Sequence, residues 1–181
     1  MSSLKIVGLD IESKRKGSDW SQGTYNFRDM ICGDIRVAGR KHRFLPFDFS
    51  DEEIDAWAEP LRETGLLIVG HNVRRYDLPG VNATLIERGL RPIVDNLVSD
   101  TLSDGPRGDG WMRRDLATMA ARYGITAKTS INQAEWELAY YGNVAMRQKI
   151  EAYNKNDVDV SLALQVAMRE VGHLSAPKRW A

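Results

Sequence analysis

The nine-residue stretch LKIVGLDIE, residues 4–12, constrains the fold more than any other part of the chain. Apart from Lys5 it is apolar until it ends in two carboxylates, Asp10 and Glu12, with one residue between them. Ile6, Val7 and Leu9 around Gly8 have the habit of a strand covered on both faces, as central strands of α/β sheets are. Strand side chains alternate with a period of two, so Asp10 and Glu12 point the same way. Neighbouring carboxylates stay ionised together only where a cation lies between them or water reaches both. The plain alternative is a strand that has run out into solvent, and this motif alone leaves both readings standing.

The rest of the chain supplies a sheet for that strand to sit in. Residues 13–19 form a polar, glycine-containing loop carrying Lys14, Arg15 and Lys16. Residues 25–37 and 41–47 read as two strands about a turn at 38–40, extending the first strand into an antiparallel meander. Ser50 followed three residues later by Glu53 has the capping-box form and predicts a helix over 50–64, stopped by Gly65. Residues 66–69 are a short, wholly apolar strand closed by Gly70. A loop over 71–79, a helix over 80–88, a strand over 92–95 and a glycine-rich loop over 104–110 follow. Helices are expected at 115–123 and 132–142. From 144 to 171 apolar residues recur at helical spacing, in one helix or in two joined near 154–156. Strands first, then strand and helix in alternation, predict one α/β domain over 1–181: a mixed sheet flanked by helices, its core spanning about 4–172, and a C-terminal tail over 173–181 with a mobile end at 176–180.

Bulk properties narrow the function. Lys plus Arg and Asp plus Glu stand at 25 each, so a nucleic-acid partner would have to be held by local basic patches, not by overall charge. The single cysteine, Cys32, excludes an internal disulfide and a cysteine-based zinc cluster, and fits a reducing compartment. No segment approaches the roughly 20 apolar residues of a membrane helix, and the first residues lack a signal-peptide run. A soluble, cytoplasmic protein without a membrane partner is expected.

Two further acids stand where a plain core would not call for them. Asp77 ends Asn72-Val73-Arg74-Arg75-Tyr76-Asp77, in the loop leaving the carboxyl end of the strand at 66–69, where functional groups of open α/β sheets gather. Asp157 follows Tyr153 by four residues, which puts both on one helix face. Taken singly, Asp77 reads as a helix cap before Pro79, Asp157 as the start of the last helix and Tyr153 as a packing residue.

Together and in this order, the motifs resemble those of the DEDD superfamily of 3′–5′ exonucleases, in the tyrosine subclass found in proofreading domains of DNA polymerases. Asp10-Ile11-Glu12 is similar to the first motif, Asn72 to Asp77 with Tyr76 at the aromatic place to the second, and Tyr153 to Asp157 to the third. Ala152 stands where the histidine subclass carries its base. The resemblance implies a ribonuclease H-like fold and a free-standing exonuclease acting on 3′ ends of single-stranded DNA. It implies two divalent cations, Mg²⁺ or Mn²⁺: Asp10 bridging both, Glu12 and Asp157 completing the water-activating site, and Asp77 serving the second ion. Tyr153 would orient the attacking water, since a phenol titrating near 10 is a poor base.

Ile11, Ser13 and Asn72 would lie near the terminal nucleotide and Arg74 and Arg75 would contact phosphates, while Lys14, Arg15 and Lys16 read either as further phosphate contacts or as a solvated charge run. Arg107, Arg113 and Arg114 form a third basic group, and Trp111 reads as a packing residue or a base-stacking one. His71 beside the second motif reads as a support residue. RNA is the alternative polymer, with a separate polymerase or replication protein as a candidate partner. A non-catalytic nucleic-acid-binding module and a junction-cutting endonuclease of the same fold are the alternative functions.

Overall fold

The computed structural model describes residues 4–13, 30–106, 114–127 and 130–180. Their strands are β1 (Lys5–Ser13), β2 (Met30–Val37), β3 (His42–Leu45), β4 (Leu66–Gly70), β5 (Asn96–Asp100) and β6 (Lys178–Trp180). They form one sheet in the order β3-β2-β1-β4-β5-β6. β1 pairs antiparallel with β2 and parallel with β4; β4 and β5 are parallel, and the pairs at both edges are antiparallel. The sheet is flanked by α1 (Asp51–Ala58), α2 (Asp77–Glu87), α3 (Leu116–Arg122), α4 (Gln133–Tyr140) and α5 (Val144–Glu170). This is the mixed α/β architecture expected of the sequence, with β1 at its centre.

β1 sorts its side chains by face. Val7, Leu9 and Ile11 enter the main core together with Ile54 and Trp57 of α1 and Leu78, Val81 and Leu85 of α2. Gly8, Asp10 and Glu12 take the opposite face. There α5 comes so close that a Cβ on Gly8 would lie 2.8 Å from Val158 Cγ1 and 3.0 Å from Leu162. Glycine at this position is what lets the long helix settle against the strand that carries the first two acids.

Several element boundaries differ from the sequence reading, each for a local reason. The capping box forms, with the Ser50 hydroxyl accepting from the Glu53 N–H and the Glu53 carboxylate from the Ser50 N–H. The α-helix nevertheless stops at Ala58 and continues as a 3₁₀ turn over Glu59–Arg62, because Pro60 has no N–H to extend the ladder. α2 begins three residues earlier than expected, at Asp77, and absorbs Pro79 in its first turn, where backbone N–H groups need no helical partner.

The strand expected over 92–95 is absent and lies instead at Asn96–Asp100. The side chain of Asn82 takes both backbone groups of Ile93, its Nδ2 donating to the carbonyl and its Oδ1 accepting from the N–H. Asp95 then turns the chain at φ 63°, so the extended pairing starts only after it. Residues 144–170 make a single helix with no break at 154–156. The expected mobile end holds β6, which covers the open edge of β5 and is tied down by Arg179 to Asp95 at 2.6 Å. Residues 25–29 of the second expected strand lie outside the described residues, as do Lys14, Arg15, Lys16, Arg107, Trp111 and Arg113.

Replacing Gly8 by alanine tests the contact that sets α5. The added methyl has to displace Val158 and Leu162, and overpacking of this kind costs about 1–3 kcal/mol. Urea unfolding of Gly8→Ala should show a lower midpoint at unchanged slope. An unaltered midpoint would mean that α5 has room to spare.

Candidate active site

The carboxyl ends of β1 and β4 part company, and the site fills the gap. Parallel pairing runs from Lys5 opposite Leu66 to Gly8 opposite Val69 and goes no further. Beyond it the chain leaves β4 through Asn72, which adopts the left-handed φ of 69°. The N–H of Ile11, past the end of the parallel ladder, donates to the Asp77 carboxylate at 2.9 Å. Asp77 is therefore not spent as a side-chain cap; at the first position of α2 it is 2% exposed and closes the backbone of β1.

From the other side α5 brings Tyr153 and Asp157, one helical turn apart, over the face that Gly8 opens. Asp10, Glu12, Asp77, Tyr153 and Asp157, taken from three distant segments, line one cavity of about 660 Å³. Ile11, Ser13 and Asn72 line it as well. Ile11 is 3% exposed and spends its side chain in the core, so it serves the cavity mainly through the backbone that Asp77 holds. The Ser13 and Tyr76 hydroxyls are hydrogen-bonded to each other on the rim, just past a β-bulge between Glu12 and Ser13.

Neither arginine of the second motif lines the cavity. Arg74 faces away, its guanidinium bound to both oxygens of Asp104 at 2.6 and 2.7 Å, to Ser103 and to the Val98 carbonyl. A bidentate arginine of this kind, with its side chain only 15% exposed, holds structure and is not offered to a phosphate. Asp100, fully buried below the same loop, accepts from the N–H groups of Asn72 and Arg74. The second motif thus rests on an Asp100–Asp104–Arg74 platform that sequence spacing does not reveal. Arg75 is exposed and outside the cavity lining.

His71 behaves as the support residue expected of it. Its Nε2 donates to the Arg114 carbonyl at 2.8 Å, its Nδ1 meets the Thr101 hydroxyl at 2.9 Å, and burial lowers its pKa. The Arg114 side chain turns inward to the Leu102 carbonyl. Sequence reasoning missed the far wall, made by Trp136, Glu137 and Tyr140 of α4 and by Tyr141 just past its end. It also missed Asn154, buried beside Asp10, although its place three residues before Asp157 on the same helix could have drawn attention to it.

Electrostatically the cavity is a concentration of like charge. Burial, then the charges of Asp77, Glu12, Asp157 and Asp34, push the Asp10 carboxyl well above the ordinary carboxylate range. Burial takes Asp77 up to about 7 against the N–H groups that hold it, and takes Asp157 up to about 6 against hydrogen bonds from Tyr153 and Asn156. Burial and the neighbouring acids raise the Tyr153 phenol, which stays protonated and donates to Asp157. Hard oxygen donors in mutual repulsion are the donor set that suits Mg²⁺ or Mn²⁺. Among the described residues no three His, Cys, Asp or Glu side chains already converge to hold an ion. The acids share the cavity while Asp10 and Asp77 stay hydrogen-bonded to the protein.

No family model matches the chain, and no curated protein matches it in sequence. Among solved structures its fold is similar to part of the family B DNA polymerase from the hyperthermophilic archaeon Pyrobaculum calidifontis. The TM-score is 0.70 at 15% identity, over 92% of this chain and 25% of the polymerase chain. The chain therefore spans about a quarter of the length of that polymerase. At this identity the likeness shows the fold alone, a helix-flanked mixed sheet consistent with the ribonuclease H-like class. No helix among the described residues is long and apolar enough to cross a membrane.

The raised acids carry a pH signature. A carboxyl whose pKa is higher in the fold than in the unfolded chain binds more protons when folded between the two values, so stability falls as pH rises through that window. With divalent ions chelated, the melting temperature should drop as pH is raised from about 5 to about 8. Asp77→Asn keeps the acceptor for Ile11 and removes the charge, and should be more stable than the parent at the upper end by on the order of 1–3 kcal/mol. A melting temperature that rises across the same range would contradict the burial of these acids.

Proposed function

We propose that the chain is a divalent-metal-dependent 3′–5′ exonuclease that removes nucleotides from the 3′ end of single-stranded DNA. The observation that carries this reading is the meeting of Asp10, Glu12, Asp77, Asp157 and Tyr153 around one cavity. Their motif order matches the tyrosine subclass of the DEDD exonucleases. The backbone likeness to part of a DNA polymerase supports a nucleic-acid enzyme, and DNA as its polymer.

Asp10, Glu12, Asp77 and Asp157 would hold the ions, with Asp10 at the centre of the group. Bound there, two Mg²⁺ or Mn²⁺ ions would activate the attacking water and stabilise the departing 3′-oxygen. The residues of the chain do the rest. Tyr153, protonated and hydrogen-bonded to Asp157, is built to orient a water molecule, not to remove its proton. The Ile11 N–H keeps Asp77 aimed across the gap between β1 and β4. Ser13 and Asn72 offer a hydroxyl and an amide to the terminal nucleotide, and the cavity lies within the roughly 300–1,000 Å³ range of small-molecule sites.

A time course on 5′-labelled single-stranded DNA, matched RNA and a covalently closed DNA circle tests the reading. Stepwise shortening of linear DNA should appear with Mg²⁺ or Mn²⁺ and vanish with chelator, while the circle stays intact. Asp10→Ala or Asp157→Ala should lower the rate by about 100-fold or more, the several kcal/mol that a metal site contributes. Tyr153→Phe should cost less than either. Parental rates in the aspartate variants, or cutting of the circle, would overturn the assignment; faster loss of RNA would move the activity to that polymer.

A further inference from the structure

Asn154 lies between the two residues of the third motif in sequence but faces inward, and it is completely buried. Its Nδ2 donates to Asp10 Oδ2 at 2.5 Å. Its Oδ1 is buried and has no hydrogen-bond partner among the described residues. An orphaned amide carbonyl costs stability that an apolar side chain at the same place would not. Buried polar groups left unsatisfied call for an explanation in what the group does.

The rest of the neighbourhood shows what that is. Asp34, opposite Asp10 across the β1–β2 pair, brings another acid instead of a donor. Tyr153 spends its hydroxyl on Asp157, and the N–H of Ile11 goes to Asp77. An amide turned the other way would set carbonyl oxygen against carboxylate oxygen, so the hydrogen bond to Asp10 dictates which end of Asn154 is left orphaned. Holding one oxygen of a carboxylate fixes the plane of the group and the direction of the other oxygen.

We propose that Asn154 is a positioning residue for the cation site: it clamps Oδ2 of Asp10 and thereby aims Oδ1 at the ions. The proposal rests on the two-ion reading given above. Groups that orient a ligating side chain from behind set metal affinity by roughly 10–100-fold without touching the metal. Asn154 stands in that relation to the acid at the centre of the cluster, and it comes from the same helix as Asp157. One rigid element would then supply a ligand and set the aim of another.

Calorimetric titration of Mn²⁺ into the full chain tests this with Asn154→Leu and Asn154→Ala, both of which remove the donor without adding a charge beside Asp10. Melting in chelator reports whether each variant is folded, and the alanine variant decides if the leucine variant is not. Both should bind Mn²⁺ roughly 10–100-fold more weakly than the parent. At saturating Mn²⁺, degradation of a single-stranded oligonucleotide should recover toward the parental rate, with KM for the oligonucleotide unchanged. Parental Mn²⁺ affinity in a folded variant overturns the proposal. So does a raised KM at unchanged Mn²⁺ affinity, which would put Asn154 on the substrate. A parent that takes up no Mn²⁺ overturns the two-ion reading, and this proposal falls with it.

Discussion

Four carboxylates are held around one cavity against their own repulsion, three of them by the packing of α5 on β1. The contact needs Gly8, where any side chain would meet Val158 and Leu162. Farther along, Asp159 on α5 meets Arg36 of β2 at 2.5 Å and His42 of β3 at 3.3 Å, and His42 also bonds the buried Asp34. Such partly exposed ion pairs add little energy each, but they fix the rotation of the helix about its own axis. With the helix so fixed, Tyr153, Asn154 and Asp157 come over Asp10 and Glu12. The cost is visible in the raised carboxyls, and it is the cost that a bound cation would relieve.

The strand-end geometry supplies the fourth acid. Where parallel strands diverge, backbone groups of the central strand lose their partner, and buried N–H groups have to be paired. Here the Asp77 carboxylate performs that pairing at Ile11, so one side chain both completes the sheet and faces the cavity. The loop that delivers it is set from below by Asp100, which gathers the N–H groups of Asn72 and Arg74, and by the Arg74–Asp104 pair. A structural use for Arg74 follows directly from its place in this support.

Much of this was legible in the sequence, because strong local signals coincide with the site. The apolar run into Asp10 and Glu12, the four-residue spacing of Tyr153 and Asp157, and the strand exit before Asp77 each depend only on short-range periodicity. The rest depends on pairs far apart in the chain. Arg74 reads as a phosphate ligand until Asp104, thirty residues on, is seen to occupy its guanidinium. Residues 92–95 read as a strand until the side chain of Asn82 is seen to take the backbone of Ile93. The segment at 178–180 reads as a tail because nothing local reveals the open edge of β5. Asn154 carries only the signal of its spacing from Asp157, and an asparagine in a helix stays ordinary until the residue it faces is known.

The unbroken length of α5 has a mechanical consequence. With a rise of 1.5 Å per residue, the eleven residues from Asp157 to Met168 span roughly 16 Å. Met168 is buried with Leu164 against Met119 of α3, at the end of the rod remote from the acids. Tilting the rod by about one degree around that anchor would carry Asp157 by roughly 0.3 Å, more than the ±0.2 Å within which metal–ligand distances hold. The methionine-lined packing at the far end and the seat of Val158 and Leu162 on Gly8 therefore act together as the two bearings that keep such a tilt small.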